Sequence, residues 1–450
     1  MTIAISTGLS WLWPEAVQMK VMEMVEEPRS LDSRFVVIVD GLATGALLGP
    51  AFKAQGYEVL HVKTSNRIAA DLEQTFTASD YSFCLDYQDL GMEKTSQILR
   101  DFPVRCVVPG CDSGVVVADT LAARLGVGSN DVEKVMSRRS KFLMHEALRE
   151  AGLASARQWK SDSVEELIDW YSQQDFRKVV VKPEFGARSE GVVFCSSADD
   201  VSRAFAASAG VRNLFGIINS ELVIQEYLAG DEFIVNTVSV GGEHFVTDIW
   251  LGVDEDEEQI STDLYADLVE PQDERHTTLS AYVVGVLDCL GIRTGPTHVE
   301  VRLTAHGPVL IEIGARLTGQ LPPPQVIGLD AVALTVAAYI SPTNALRELQ
   351  EAARFRPARL VYLRSDIGGP VLSSPDISAI NALESLQQLA VRVRPGDTLV
   401  PTNHVGGRPG YAYLVHDERA QLEMDYERLR LLEREMYELM LRGPAVRHPL

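Results

Sequence analysis

The chain of 450 residues exceeds the usual size of a single hydrophobic core, and 46% hydrophobic against 23% charged residues is the balance of a folded globular protein. Lys and Arg number 41 against 63 Asp and Glu, a formal charge of -22 that repels phosphate backbones and argues against a nucleic-acid partner. Five scattered cysteines with no C-x-x-C pair fit a reducing, cytoplasmic setting, and the sequence reads as carrying neither a signal peptide nor a membrane span.

The first 33 or so residues receive no assignment. FVVIVD (35–40) reads as a buried strand, followed by a glycine turn and helix in GLATGALLGPAFKAQG and a second strand in YEVLHV (57–62). CVVPG (106–110) adds another strand before a helical stretch through Ala118 to Leu125, so the first 130 residues form a small parallel α/β domain. The glycines of GLATGALLG lack the G-x-G-x-x-G spacing of a dinucleotide site and read as a tight strand-to-helix turn.

From Ser129 the pattern changes. SNDVEKVMSRRSKFLMHEALREAGL reads as a capped helix ending near Gly152, and KVVVKPEFGARSEGVVFCSS (178–197) as strand, glycine-bearing loop, strand. Several strands follow in 221–250 with a turn at Gly241-Gly242, and 297–314 reads as a hairpin turning at Ala305 to Pro308. Beyond PPPQVIG, a helix-rich stretch leads into strands at RLVYLRS and YAYLVHD and a charged final helix from Glu418, a half-buried packing element.

Side chains two apart on a strand share a face, so His298, Glu300 and Arg302 project together, as do Glu312, Gly314 and Arg316 if extension persists. A hairpin brings the two sets face to face. Two carboxylates held close in low dielectric repel, and a bound Mg²⁺ removes the conflict; it takes one or two carboxylates plus phosphate oxygens. The competing arrangement pairs Glu300 with Arg302 and Glu312 with Arg316 in solvent. Lys182 ends a buried strand and is followed by a loop holding Gly186 and Gly191, able to offer backbone N–H groups to phosphate, with a plain surface hairpin as the alternative. His298 alone reads more readily as a satisfied structural residue, Asp112 in VVPGCDSG as a turn former, and DEDEE (254–258) as a solvated loop.

Taken in order, Lys141 in SRRSKFLMHEALREAGL, Lys182 in VVVKP, the loop GARSEG, QEYLAGDEF, HVEVRL and IEIGARLTG resemble the successive motifs of the ATP-grasp superfamily of carboxylate-amine ligases. The resemblance covers about residues 130 to 330. It implies an α/β and α+β multidomain fold: an N-terminal parallel α/β domain (1–130), an ATP-grasp domain of two α+β lobes (131–340) with a nucleotide lid at about 155–228, and a C-terminal α+β subdomain (341–450).

By the same resemblance, Lys141 and Lys182 contact ATP phosphates, and Gly186, Ala187, Arg188, Ser189 and Gly191 belong to the loop closing over them. Gln225, Glu226, Tyr227 and Leu228 hold adenine, Glu232 binds ribose hydroxyls, and Glu300 and Glu312 hold Mg²⁺, or Mn²⁺ in its place. Arg316 grips the transferred phosphoryl group, a task its forked donors suit, and His298 orients substrate. Many relatives have Asn where Gly314 stands. GAR followed by Gly, with His298 ahead of the first metal Glu, is similar instead to L-amino acid ligases that make dipeptides. The implied partners are ATP and small amino acids or amines, with a carrier protein and a second copy of the chain as further candidates. A carboxylase-type ATP-grasp enzyme and a non-catalytic nucleotide binder are the other readings.

Overall fold

The structure is a computed structural model that describes residues 35–128, 130–254, 264–351, 355–402 and 407–442. The N-terminal segment, and residues 255–258 of the acidic run, lie outside the described residues.

The first unit is a four-stranded parallel sheet in the order β3-β2-β1-β4, with β1 at Phe35–Val39, β2 at Glu58–Lys63, β3 at Phe83–Asp86 and β4 at Val104–Pro109. Every side chain of β1 is buried, as a parallel strand covered on both faces requires. The glycine turn after β1 serves close packing: a Cβ on Gly45 would stand 2.0 Å from the Gly110 carbonyl oxygen, so the turns after β1 and β4 meet backbone to backbone. Strand β3, only four residues of FCLD, was not evident from the sequence.

The second unit is an antiparallel sheet in the order β5-β8-β6-β7, made of β5 Gln158–Ser161, β6 Val179–Pro183, β7 Val193–Cys195 and β8 Leu222–Glu226. Helices Val164–Ser172 and Ala198–Ser208 cover it through Leu167, Val201 and Ala204. Each starts on a serine whose hydroxyl accepts a backbone N–H three residues on.

The third sheet has eight strands in the order β13-β12-β9-β10-β11-β14-β18-β16. They are β9 Asp231–Val240, β10 Glu243–Val253, β11 Tyr265–Leu268, β12 Gly295–Thr304, β13 Gly307–Gly314, β14 Ala358–Leu363, β16 Leu386–Val391 and β18 Gly410–Val415; the two-residue strands β15 (Gly369–Pro370) and β17 (Thr398–Leu399) pair apart. The C-terminal strands thus extend the sheet that carries the acidic hairpin. Gly241 and Gly242, both at positive φ, make the turn between β9 and β10. Helices Lys141–Glu150 and Glu274–Cys289 close one face over Phe233, Val235, Val299, Val301 and Leu310. The final helix Arg419–Arg442 buries Leu422, Tyr426, Leu429, Met436 and Met440 against β14 and β18.

One sequence expectation is corrected. The helix read from Ser129 begins only at Lys141, after two short 3-10 turns at Val132–Lys134 and Met136–Arg138. The reason is Ser140, whose hydroxyl accepts from Leu143 N and caps the helix there. None of the five cysteines forms a disulfide. Among the described residues no helix is long and apolar enough to cross a membrane.

Candidate functional site

The uncovered face of the third sheet, the strand-to-strand loop of the second and one wall from the C-terminal strands enclose a cavity. Its lining includes Lys141, Lys182, Gly186, Ala187, Arg188, Ser189, Gln225, Glu226, Tyr227, Leu228, Glu232, His298, Glu300 and Glu312. Residues up to 267 positions apart in sequence, Lys141 and Arg408, therefore meet in one place, and of the residues given a role by the resemblance only Gly191 and Arg316 are not in that lining.

The hairpin does what the alternation suggested, with one refinement. Glu300 on β12 lies directly opposite Glu312 on β13, and the register then shifts so that Val301 faces Leu310. The skipped residue, Ile311, is a bulge. It puts Ile311 and Glu312 together on the cavity side while Leu310 and Ile313 stay in the core. His145 on the helix beneath helps hold this bulge: its Nδ1 accepts from Ala156 N, so its Nε2 donates to the Ile311 carbonyl at 3.3 Å. Full burial, reinforced by nearby Lys182, pushes His145 down to about 3, so it stays neutral.

The solvent pairing of acids with the strand arginines is not what forms. Glu312 is ion-paired with Lys141, and Arg302 reaches Glu232, its directly opposed neighbour on β9, at 2.6 Å. Burial works to raise the Glu312 carboxyl, but the cations of Lys141 and Lys182 outweigh it and hold the group below the usual carboxylate range. Lys182 is buried with its Nζ 2.8 Å from Gln225 Oε1, and burial together with Lys141 pushes it down to about 8. Glu226 turns its carboxylate to Arg157, and the N–H groups of Glu226 and Tyr227 already bond the Arg157 and Lys178 carbonyls. Those two backbone donors are thus already engaged within the protein.

The loop after β6 crosses over the cavity. Arg188 and Ser189 sit at φ 58° and 55°, a left-handed conformation that costs non-glycine residues energy. Arg188 is tied to Asp71 of the first unit at 2.5 Å, and Ala187 packs near Ile68, Leu72, Leu214 and Phe215. Gly191, at φ 72°, turns the loop back beside Pro183.

Arg316 lies just outside the lining. Its Nε donates to Asp112 Oδ2 at 2.8 Å and its Nη1 to the Leu317 carbonyl at 2.8 Å. Asp112 starts a turn, as expected, but is also buried: burial works to raise its carboxyl, and Arg316, Arg139 and Lys141 outweigh that and hold it below its ordinary value. Gly314 makes room for this pair. A Cβ there would stand 3.1 Å from Asp112 Oδ1 and 3.3 Å from Arg316 Cζ, so the departure from Asn is matched by the Asp112–Arg316 contact. The sequence also gave no sign of the far wall, where Gln320, Tyr362 and Arg408 enter the cavity and the Arg408 guanidinium lies 3.8 Å over the Tyr362 ring.

Two opposed carboxylates are hard oxygen donors, too few for a cage but suited to a divalent cation that also takes phosphate oxygens. Among the described residues no cluster of three or more His, Cys, Asp or Glu could hold a metal by itself.

The ATP-grasp domain family matches residues 176–323. Dapdiamide A synthase of Enterobacter agglomerans is 31% identical over 416 residues, spanning 90% of this chain and 97% of that protein. Among solved structures, an L-amino acid ligase from Bacillus licheniformis superposes with a TM-score of 0.71 at 18% identity, over 89% of this chain and 98% of that one. A carboxyaminoimidazole ribonucleotide synthase from Aspergillus clavatus complexed with ATP gives 0.65 at 14% identity, over 90% and 99%. These two show the shared fold, and the first relative, aligned over nearly its whole length, shows the lineage. The chain belongs to the ATP-grasp family of ATP-dependent carboxylate-amine ligases.

Proposed function

We propose that this ligase joins the carboxylate of one amino acid to the amine of another amino acid or small amine. The observation that carries the reading is the register of the hairpin: Glu300 opposite Glu312, with Lys141 and Lys182 lining the same cavity. The relatives named dapdiamide A synthase and L-amino acid ligase support the substrate class.

In the first step a carboxylate oxygen of the donor attacks the γ-phosphorus of ATP. The bond to the bridging oxygen breaks, and ADP and an acyl phosphate result. Lys141, Lys182 and the N–H groups of the 186–189 loop face the phosphates; backbone groups near 225–228 take adenine, and Glu232, steadied by Arg302, takes the ribose hydroxyls. Glu300 and Glu312 would hold Mg²⁺, which when bound supplies neutralisation of phosphate charge. Arg316, held by Asp112 at the cavity edge, grips the phosphoryl group. In the second step the amine nitrogen attacks the acyl carbon, the bond to phosphate breaks, and the nitrogen gives up a proton. Water would hydrolyse the acyl phosphate, so the loop bearing Arg188 and Ser189 covers the cavity during transfer.

The test is a screen of pairwise amino-acid mixtures for ATP-dependent phosphate release, followed by mass spectrometry of the product. Release that requires both components, with one amide product, is expected. Release with bicarbonate and no amide would overturn the reading in favour of a carboxylase. Arg316→Ala should lower kcat at least tenfold more than it weakens ADP binding; equal losses would remove Arg316 from the chemistry.

A further inference from the structure

Beneath the cavity a row of polar side chains crosses three neighbouring strands. Asp248 on β10 lies directly opposite Asn236 on β9, and Asn236 directly opposite His298 on β12. Asn236 Nδ2 is 2.6 Å from Asp248 Oδ1, and Asn236 Oδ1 is 3.0 Å from His298 Nδ1. At the cavity end His298 Nε2 lies 3.5 Å from Glu300 Oε1.

The hydrogens along this row can be assigned from one fixed point. Trp250 Nε1 is only a donor, and it stands 2.6 Å from the same Asp248 Oδ1, so that oxygen accepts. Burial raises the Asp248 carboxyl against the hydrogen bonds of Asn236, Thr247 and Trp250; a proton taken up there would sit on Oδ2, beside the Thr247 hydroxyl at 2.7 Å. Oδ1 is an acceptor in either state. Asn236 must therefore turn its amide nitrogen to Asp248 and its oxygen to His298. An amide oxygen can only accept, so His298 carries its hydrogen on Nδ1. In the neutral ring Nε2 is then a bare acceptor, and it is the nitrogen that faces Glu300.

Two acceptors 3.5 Å apart, one of them a carboxylate, repel unless a cation or a donor comes between them or beside them, and a cation held by Glu300 leaves Nε2 free to accept from a donor. We propose that Asp248 and Asn236 are positioning residues that hold His298 in its Nδ1–H tautomer, so that Nε2 offers the cavity an acceptor for an N–H of the amine substrate. The identity of that donor rests on the ligase reading above; the tautomer does not. Held this way, the amine presents its lone pair in a defined direction, and the row sets amine orientation independently of nucleotide binding.

The test is a long-range proton–nitrogen NMR spectrum of the full chain with labelled histidine, recorded at alkaline pH where imidazoles are neutral. His298→Gln identifies the signal among nine histidines. The wild-type protein should show Nδ1–H at His298, a result that needs no destabilising variant. Asp248→Asn keeps an acceptor oxygen for Trp250 and Asn236 and should preserve that tautomer, whereas Asn236→Leu should release the ring to the Nε2–H form favoured in water. Nε2–H in the wild type, or no change in Asn236→Leu, would overturn the proposal. With hydroxylamine as the amine and the acid found by the phosphate-release screen, Asn236→Leu should raise KM for hydroxylamine about tenfold, the value of roughly one hydrogen bond. Its dissociation constant for Mg-ADP should stay within about twofold. Parallel loss of both would mean a structural role only and would also overturn it. If no acid yields an amide, the ligase reading fails while the spectra still decide the tautomer.

Discussion

At the C-terminal end of the large sheet, Arg359 is closed on every side. Its fork donates to both oxygens of Asp267 at 2.7 and 2.9 Å, its remaining arm reaches Glu423 at 2.9 Å, and its guanidinium lies 3.8 Å over the Tyr265 ring. Burial works against its charge, yet Asp267 carries the group above its ordinary value. In the cavity, Lys182 is as deeply buried but donates to a neutral amide oxygen, that of Gln225, and burial with Lys141 pushes it down to about 8. The acids beside it face each other as well as the lysines. Where the protein balances a buried charge with its own groups, the charge is architecture; where charges of both signs converge on a cavity half matched, a ligand carrying both signs completes the set.

The sharpest way to break this comparison is to remove one charge from each region. Glu312→Gln should lower phosphate release on the order of 10³-fold, the scale seen when a preorganised electrostatic contact is lost. Because the carboxylate also balances Lys141 and Lys182, the unfolding midpoint should fall as well, and turnover is therefore read per folded enzyme. More than a tenth of wild-type turnover in that variant would dismiss the metal assignment. Arg359→Met should do the reverse, leaving kcat of the folded enzyme unchanged while costing about 2 kcal/mol in chemical denaturation. That figure is reduced from the value for a fully buried pair, because Asp267 is a quarter exposed. A catalytic defect with unaltered stability would make Arg359 part of the site.

A change of pH sharpens the same contrast. As pH rises through about 8 the free protein loses the Lys182 proton, whereas a bound phosphate anion keeps it in place. The dissociation constant for ADP should therefore be flat below about pH 7.5 and rise by up to tenfold per unit above 8, as a single linked proton requires. Lys182→Gln should flatten the profile, and a flat wild-type profile would remove Lys182 from phosphate binding. For the apoprotein the sign is opposite. Between about 8 and 10.5 the unfolded chain binds more protons at this lysine than the folded one, so its contribution to stability rises with pH across that window.

Much of this site was legible because its residues obey local periodicities. Lys182 ends an aliphatic strand, GARSEG breaks it with glycine, and Glu300 and Glu312 keep the parity of a hairpin. What escaped notice depends on contacts far apart or on departures from period. Asp112 looked like a turn former because its partner, Arg316, lies 204 residues away. The bulge at Ile311 has no sequence mark, since an extra aliphatic residue in an aliphatic strand leaves the composition unchanged. Asn236 and Asp248 belong to no motif; only the lateral register joins them to His298. Tyr362 lies on β14 and Arg408 just before β18, and the place of these strands beside the cavity follows from the order of the eight-stranded sheet and not from any nearby motif.

The smallest effect is expected at the cover. Arg188 and Asp71 join the loop to the first unit through an ion pair whose side chains are 43% and 61% exposed, so the pair is worth about 0.5 kcal/mol and is screened by salt. The apolar contacts of Leu214 and Phe215 with Ile68 and Leu72 carry the rest of the closure. Arg188→Ala should therefore speed ADP release only about twofold at low salt, measured by stopped-flow displacement, and the difference should vanish near 0.5 M salt. Phe215→Ala, which opens the apolar contact, should speed release more and at any salt. If the arginine variant has the larger effect, or keeps it at high salt, then Arg188 acts on the nucleotide itself and belongs with the half-matched charges of the cavity, not with the seam that shuts it.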